Sequence, residues 1–523
     1  MNRRQVGVNV IANILACVTT LCISFFLTPY LVKVLGDEAY GYIGLSNSFI
    51  NYAAILTTAL NSMAGRYILL ARAKGDGERV DQLYSSLFYA GVILAGLFLL
   101  VGGMLTANIE RIFRITPSLV PAVRLTFLIT VANYSVTTLF TVFSTSAFVV
   151  NRLDRTARGS VAADAVKAGT LLGLFLLLKP QIYYVAIGAI AYTVVLNAFH
   201  LYNTRTLLPE LKIRRAFVRV SAIRELISAG IWNSSYFLIS ILMVGMDLML
   251  ANWLIGGKVM GLLSTAATIT TAMSSVRNAV TNAFKPSLAT AYAEEKRDDA
   301  TGVFPRLKAD TLRVNRLQNL LLLVPVAGLC VFGYRFYSLW MPYKPASEIQ
   351  LLAIVTALKM AELFGGLTID AITYNFTLYN RLKKQALVQI LVSCFNIPLV
   401  VLLVRHAPNE SMGAYCIAGV SSLLFLIYYW VIAPRLAAQV TGERLKTYYR
   451  SILGNAGLFA ALIALFLLLN RFISTPNWLM LLVWLGLAGI LGYGLMFLIG
   501  IGRAEKKQLM QRLMQKLGRR PSL

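Results

Sequence analysis

Charge is scarce in this chain. Only 14% of its 523 residues are Asp, Glu, Lys or Arg, where a soluble globular protein carries nearer a quarter, so a water-soluble fold is excluded. Acid is scarcer than base: 22 Asp and Glu stand against 49 Lys and Arg, a formal charge of +27. The two histidines, His200 and His406, are far apart in sequence and cannot anchor a His-rich metal site or a proton relay. The five cysteines, Cys17, Cys22, Cys330, Cys394 and Cys416, lie in or beside apolar runs with no Cys-x-x-Cys spacing. They read as packing residues rather than disulfides or metal ligands. Neither a metal nor a cofactor is expected. Also missing are a Gly-x-x-x-x-Gly-Lys phosphate loop, a Ser/His/Asp set, and paired carboxylates or metal-spaced His/Glu at membrane depth. The chain is therefore expected not to hydrolyse a nucleotide, to hold no catalytic residue and not to be an enzyme. No zinc finger, helix-turn-helix or RNA-recognition pattern accompanies the basic excess, so nucleic acid is set aside.

What the sequence has instead is apolar length. Hydrophobic residues make up 58% of it, in continuous runs near the roughly 20 residues that span a bilayer. Continuous rather than alternating runs exclude a barrel. Fourteen spans are read, at about 8–33, 41–71, 83–107, 121–149, 160–178, 182–203, 226–254, 259–292, 313–335, 349–379, 385–404, 412–433, 451–470 and 478–500. The first is too long for a signal-peptide core and is expected to stay. With the N-terminus inside, 37 Lys and Arg fall on the cytoplasmic side and ten on the other, from Lys33 to Arg471. That bias sets both termini in the cytoplasm.

The chain also repeats itself. Sliding residues 11–75 by 220 positions onto 231–295 brings Asn13 onto Asn233, Gly36 onto Gly256, Gly41 onto Gly261, and Ala71 and Ala73 onto Ala291 and Ala293. Asn151-Arg152-Leu153 recurs as Asn380-Arg381-Leu382. Six spans, an even number, separate the copies, so they share one orientation, about an axis along the membrane normal. The expected organisation is a lobe at 1–204 and a second at 226–434. Between them, 205–225 is a basic amphipathic linker suited to the anionic inner leaflet. Two extra spans fill 435–500, and 501–523 is a basic tail with apolar residues at helical spacing.

The second helix of each repeat is polar for a span. The first copy carries Ser46, Asn47, Ser48, Asn51, Thr57, Thr58, Asn61, Ser62 and Arg66. The second carries Thr265, Thr268, Thr270, Thr271, Ser274, Ser275, Arg277, Asn278, Thr281 and Asn282. Lipid satisfies none of these groups, so a wet cavity is expected, interhelical hydrogen bonding being the other reading. Arg277 lies mid-span, and its planar fork suits phosphate oxygens. Arg66, nearer the inner face, either joins it or snorkels. The candidate binding set is Arg277, Arg66, Asn47, Asn51, Asn61, Ser274 and Asn278. In span ten, Lys359, Glu362 and Asp370 stand three and eight apart, on one face of a continuous helix, with Gly365-Gly366 between the acids. They read as a coupling or gating set, or as an intrahelical Lys–Glu pair. Asp247 in span seven is an isolated acid, read as a structural partner or a cation ligand.

The fourteen spans, the two six-helix lobes and the Gly36-Asp37-Glu38-Ala39-Tyr40-Gly41-Tyr42 turn resemble the polysaccharide transporter branch of the multidrug/oligosaccharidyl-lipid/polysaccharide exporters, which contains the Wzx-type flippases for O-antigen and capsule units. The resemblance implies an all-α integral membrane fold, V-shaped and two-lobed, in the bacterial inner membrane. It implies movement of an undecaprenyl-pyrophosphate-linked oligosaccharide to the outer leaflet by alternating access. The partners it implies are that lipid-linked substrate, membrane lipids, a polysaccharide polymerase and glycosyltransferases. The relative that flips the peptidoglycan precursor carries basic residues in its first span, but here none lies between Asn9 and Leu31. That relative also uses an arginine in span eight, where Arg277 stands. The drug-extruding branch has twelve spans and a functional acid in the first, and this chain has no acid there. A cation-coupled antiporter for small molecules is the rival reading. In a Cys-free background, a cysteine at position 215 should label only from the cytoplasm; labelling from outside overturns the topology.

Overall fold

The computed structural model describes residues 3–298, 304–473 and 477–500. Among them every regular element is helical and there is no strand. Thirteen helices are long and apolar enough to cross a membrane, so the protein is a multi-pass helical membrane protein. The expected fourteenth is the helix Asp37–Asn61. It has 25 residues, enough to cross, but its Ser, Thr and Asn side chains lower its hydropathy and it is not among the thirteen. The basic tail 501–523 lies outside the described residues.

The helices group by packing into two compact units. One is Met1–Thr268 with Ala386–Ile417, the other Ile269–Gln385 with Ala418–Leu523. This grouping is one of packing, not of sequence repetition: Val220–Ser240, from the second repeat, packs along Asp37–Asn61 from the first.

Positive φ falls at several of the positions that the sequence offsets pair. A left-handed φ is uncommon for a residue with a Cβ. Among the described non-glycine residues it occurs at Asn151 (φ 56°) and Asn380 (φ 54°), the asparagines that open the two Asn-Arg-Leu triplets. Asparagine tolerates that region because its short amide bonds locally. Gly36 (φ 86°) and Gly256 (φ 153°), the first glycines of the matched turns, are positive too.

The second glycines, Gly41 and Gly261, meet each other within the first unit. A Cβ at Gly41 would stand 2.9 Å from the Gly261 nitrogen, and one at Gly261 would overlap the Asp37 carbonyl. One turn on, a Cβ at Gly44 would overlap the Ser264 hydroxyl. Two helices therefore cross here at backbone contact, tied by a 3.0 Å hydrogen bond between the Tyr40 and Thr268 hydroxyls.

The 205–225 segment is fastened to the protein. Its Lys212, Arg214 and Arg219 amides donate to Asp81, Ser85 and Ser86 of the helix Gly77–Ala107 at 2.9, 3.1 and 2.9 Å. Leu211 and Ile213 pack against the cluster of Leu83, Tyr84 and Leu226. The apolar side expected to face the leaflet is divided: Leu211 and Ile213 turn to the protein and Val220 is exposed, and residues 208–214 are not helical.

Three interruptions inside the spans are answered by side chains from other helices. Pro325 lies within Pro305–Trp340 and leaves the Leu321 carbonyl without its helical donor. The Tyr493 hydroxyl of Trp478–Leu495 donates to it at 2.9 Å. The helix Ala346–Leu367 stops short, and the carbonyls of Leu367 and Thr368 take amide protons from Asn319 and Asn315, each at 2.8 Å. A π-helical turn at Ile241–Gly245 exposes carbonyls that Asn396 (to Leu242, 2.8 Å) and Tyr52 (to Gly245, 2.9 Å) satisfy. Lipid could supply none of these donors.

Overpacking the helix crossing should cost about 1–3 kcal/mol. Gly261→Val should therefore lower the unfolding temperature in detergent. Gly454→Ala, where an added methyl meets nothing within 4 Å, should not. An unshifted Gly261→Val would mean the crossing is slack.

Candidate functional site

Polarity on the first unit's helix Asp37–Asn61 is divided by depth. Asn47 and Asn51, four residues apart and so on one face, are exposed. Lipid supplies no partner for an amide, so this face needs another one. Asn61 is half-buried and spends its amide on the Thr57 carbonyl at 2.8 Å. Thr57 shares a 2.8 Å hydrogen bond with the Tyr134 hydroxyl. Arg66 lies beyond a break at Ser62–Met63, exposed on the short helix Ala64–Ala73.

The second unit holds the charged site. On the long helix Gly257–Asp298, Arg277 turns its fork to Asp370. Nε donates to Asp370 Oδ2 at 2.7 Å, and Nη2 makes a short bond to Oδ1. The pair is side-on and bidentate, a strong charge-assisted geometry. Thr281, one turn along, donates to the same carboxylate at 3.3 Å. The guanidinium lies flat on Gly366, where an added Cβ would come within 2.6–2.8 Å of Nη2, Nη1 and Cζ. Lys359 donates to Ser421 at 2.6 Å and reaches Glu362 at 3.6 Å. Glu362 also interacts electrostatically with Arg277. Ser274 is half-buried and Asn278 exposed, three residues before and one after Arg277.

Two expectations change here. Lys359, Glu362 and Asp370 do not share one continuous helix: it ends at Leu367, and Asp370 opens a separate short helix, Asp370–Thr373. The capped carbonyls of Leu367 and Thr368 let the chain turn and present Asp370 to Arg277. The fork of Arg277 is therefore not open but engaged by that carboxylate. Asp247 lies elsewhere, buried in the first unit at the start of Met246–Leu254.

Other groups escaped the sequence reading. Lys285 sits eight residues after Arg277 on the same face. It donates to Asn282 at 2.8 Å and stands 5.7 Å over the Tyr374 ring, and it interacts electrostatically with Asp370 and Arg277. Its spacing was the available signal. Asp164 is a buried acid in Leu153–Leu177, bonded to the Thr20 hydroxyl, with Lys167 one turn on. Its position inside an apparently apolar run hid it.

The described residues form an all-helical membrane fold with a half-buried, charge-paired polar centre. The sequence profile described as "Polysaccharide biosynthesis protein" matches residues 6–291, more than half of the chain, so the protein belongs to that family. Over 455 residues, 87% of each chain, it is 26% identical to the uncharacterized membrane protein EpsK of Bacillus subtilis (strain 168). Its fold is that of the MOP superfamily. It is similar to an inward-facing multidrug resistance MATE family transporter of that superfamily (TM-score 0.64, 14% identity, 83% of this chain and 99% of that one). It is equally similar to the lipid II flippase MurJ in an inward closed conformation (TM-score 0.64, 14% identity, 97% of this chain and 99% of that one).

Removing one partner of a buried ion pair strands the other, at about 3–5 kcal/mol. Arg277→Gln and Asp370→Asn should each lower the unfolding temperature. The double variant should lose less than the sum, by roughly 1–3 kcal/mol in a thermodynamic cycle. Simple additivity would mean the two residues are not coupled.

Proposed function

We propose that the protein is a flippase that carries undecaprenyl-pyrophosphate-linked oligosaccharide from the inner to the outer leaflet of the bacterial inner membrane, for O-antigen, capsule or exopolysaccharide synthesis. It is a transporter rather than an enzyme, with both termini in the cytoplasm. Its moving parts are the lobes 1–204 and 226–434, joined by 205–225, with 435–500 and the tail 501–523 appended.

The observation that carries this reading is the charge balance around Arg277. Three cations, Arg277, Lys285 and Lys359, stand with two carboxylates, Glu362 and Asp370. An excess of positive charge among polar groups suits an anionic head group and disfavours a cationic drug. A diphosphate entering this site competes with Asp370 for the Arg277 fork. Exchange releases the Asp370 carboxylate, which then takes up a proton or a cation. Asp370 and Glu362 are thereby the candidate carriers for coupling to an ion gradient or to the membrane potential.

The last two helices support a lipid-linked substrate. An apolar cavity of about 260 Å³ opens between them and Pro305–Trp340, lined by Pro325, Leu329, Phe332, Phe466, Leu485 and Tyr493 among others. It suits a hydrocarbon chain. The lipid II flippase matches 97% of this chain where the multidrug transporter matches 83%, a difference comparable to those two helices.

Arg277→Ala should abolish or sharply reduce export of finished polysaccharide at matched membrane expression, with lipid-linked precursor accumulating on the inner leaflet. Arg277→Lys should restore export only in part, since the ammonium keeps the charge and loses the fork. Export at the unmodified level by Arg277→Ala would remove the case for an anionic substrate. Drug resistance conferred without polysaccharide export would favour the antiporter.

A further inference from the structure

The helix break that presents Asp370 to Arg277 is lined by polar groups that its capping bonds do not use up. Asn315 and Asn319 stand one turn apart on Pro305–Trp340. Their amide nitrogens go to the Thr368 and Leu367 carbonyls, each at 2.8 Å. Those partners only accept, so the nitrogens must face them and the amide oxygens are turned elsewhere. No donor among the described residues reaches Asn315 Oδ1 or Asn319 Oδ1. The same holds for Gln318 Oε1 and the Thr311 hydroxyl. All four residues are at most 1% exposed. They share one face of the helix, within an arc of about 100°, while Arg313 and Arg316 keep to its exposed side. One buried oxygen without a partner is a local defect, but four on one face form a group that needs an occupant.

The donors around the group are already spent. The Thr368 hydroxyl donates to the Gly365 carbonyl at 2.7 Å and itself accepts from Trp430 at 3.1 Å. Ser451 of Leu445–Asn470 takes a second, 3.4 Å bond from Asn315. What is left over is therefore acceptor oxygen. One ordered water offers two protons, fewer than the three amide oxygens require. A hard cation offers none and takes several oxygens at once. The group contains no carboxylate, and Asp370, two residues beyond Thr368, is engaged by Arg277. Neutral ligands do not offset the dehydration of a divalent ion, which leaves an alkali cation.

We propose that Asn315, Gln318 and Asn319, with Thr311 beside them, bind a monovalent cation, sodium or potassium, next to the helix break at 367–369. The ion fixes the amides whose nitrogens cap the break, and through them the presentation of Asp370 to Arg277. This rests on the flippase reading and deepens it: an ion gradient acts on the charged centre through the backbone as well as through Asp370 and Glu362.

The test compares full-length protein in detergent in sodium, potassium or N-methylglucamine chloride at one ionic strength. Unfolding temperature is read beside binding of radioactive sodium or of rubidium, which stands in for potassium. Sodium or potassium should raise the unfolding temperature of the unmodified protein by a few degrees, saturably, with one ion bound. Gln318 caps neither carbonyl, so Gln318→Leu leaves the break in place. It should abolish the ion-specific rise and weaken ion binding at least roughly tenfold. In N-methylglucamine it should unfold no lower than the unmodified protein, because a buried acceptor without a donor has become an apolar group. Gln318→Glu should bind the ion more tightly. Equal unfolding temperatures in all three salts, with no ion bound, overturn the site and leave ordered water on these oxygens. A rise that survives in Gln318→Leu puts the ion elsewhere and overturns it as well. An equal drop for Gln318→Leu in every salt makes Gln318 a structural residue, with the same consequence. Lost export in Arg277→Ala without any bound alkali ion would leave the flippase reading standing and remove this site. Normal export in Arg277→Ala with ion binding lost in Gln318→Leu would do the reverse.

Discussion

The membrane interior offers no hydrogen bonds, and the structure is organised around that constraint. At several interruptions the freed carbonyl finds a donor on another helix, as Tyr493 serves Pro325's helix and Asn315 and Asn319 serve the end at Leu367 and Thr368. These donors do more than prevent a loss of stability. The break that Asn315 and Asn319 permit is what starts a new helix at Asp370 and turns its carboxylate to Arg277. The charged centre therefore depends on a neutral amide pair one helix away, and on Gly366, which leaves room for the guanidinium.

Two arginines illustrate how one side chain serves different ends. Arg277 pairs side-on with an acid, Asp370. Arg335 is tied by two hydrogen bonds to Asn470, at a helix terminus.

Much of the fold was legible from hydropathy. Thirteen of the fourteen expected spans follow it, and the exception, Asp37–Asn61, was recognisable because its polar residues recur at helical spacing. The asparagines that open the two Asn-Arg-Leu triplets take the same left-handed conformation, φ 56° and 54°. What could not be read was anything decided by tertiary contact. The run through Lys359, Glu362 and Asp370 looks like one helix because the residues that stop it, Thr368 and Ile369, are ordinary helix-compatible side chains and their caps come from fifty residues away. The Arg277–Asp370 pair joins positions 93 apart, and the 205–225 linker looked amphipathic without revealing that Leu211 and Ile213 meet protein. Lys285 was accessible through its eight-residue spacing from Arg277. Asp164 was not, since an apolar stretch with one acid reads as a span with a flaw.

The crossing of Gly41 with Gly261 joins two positions that the 220-residue offset superposes, and Gly44 with Ser264 is a second such pair. At such a contact the two sides share one space, so whatever is added on one side is denied to the other. At 41 and 261 neither side has room for a side chain. At 44 and 264 there is room for one small hydroxyl, and it stands on the second helix.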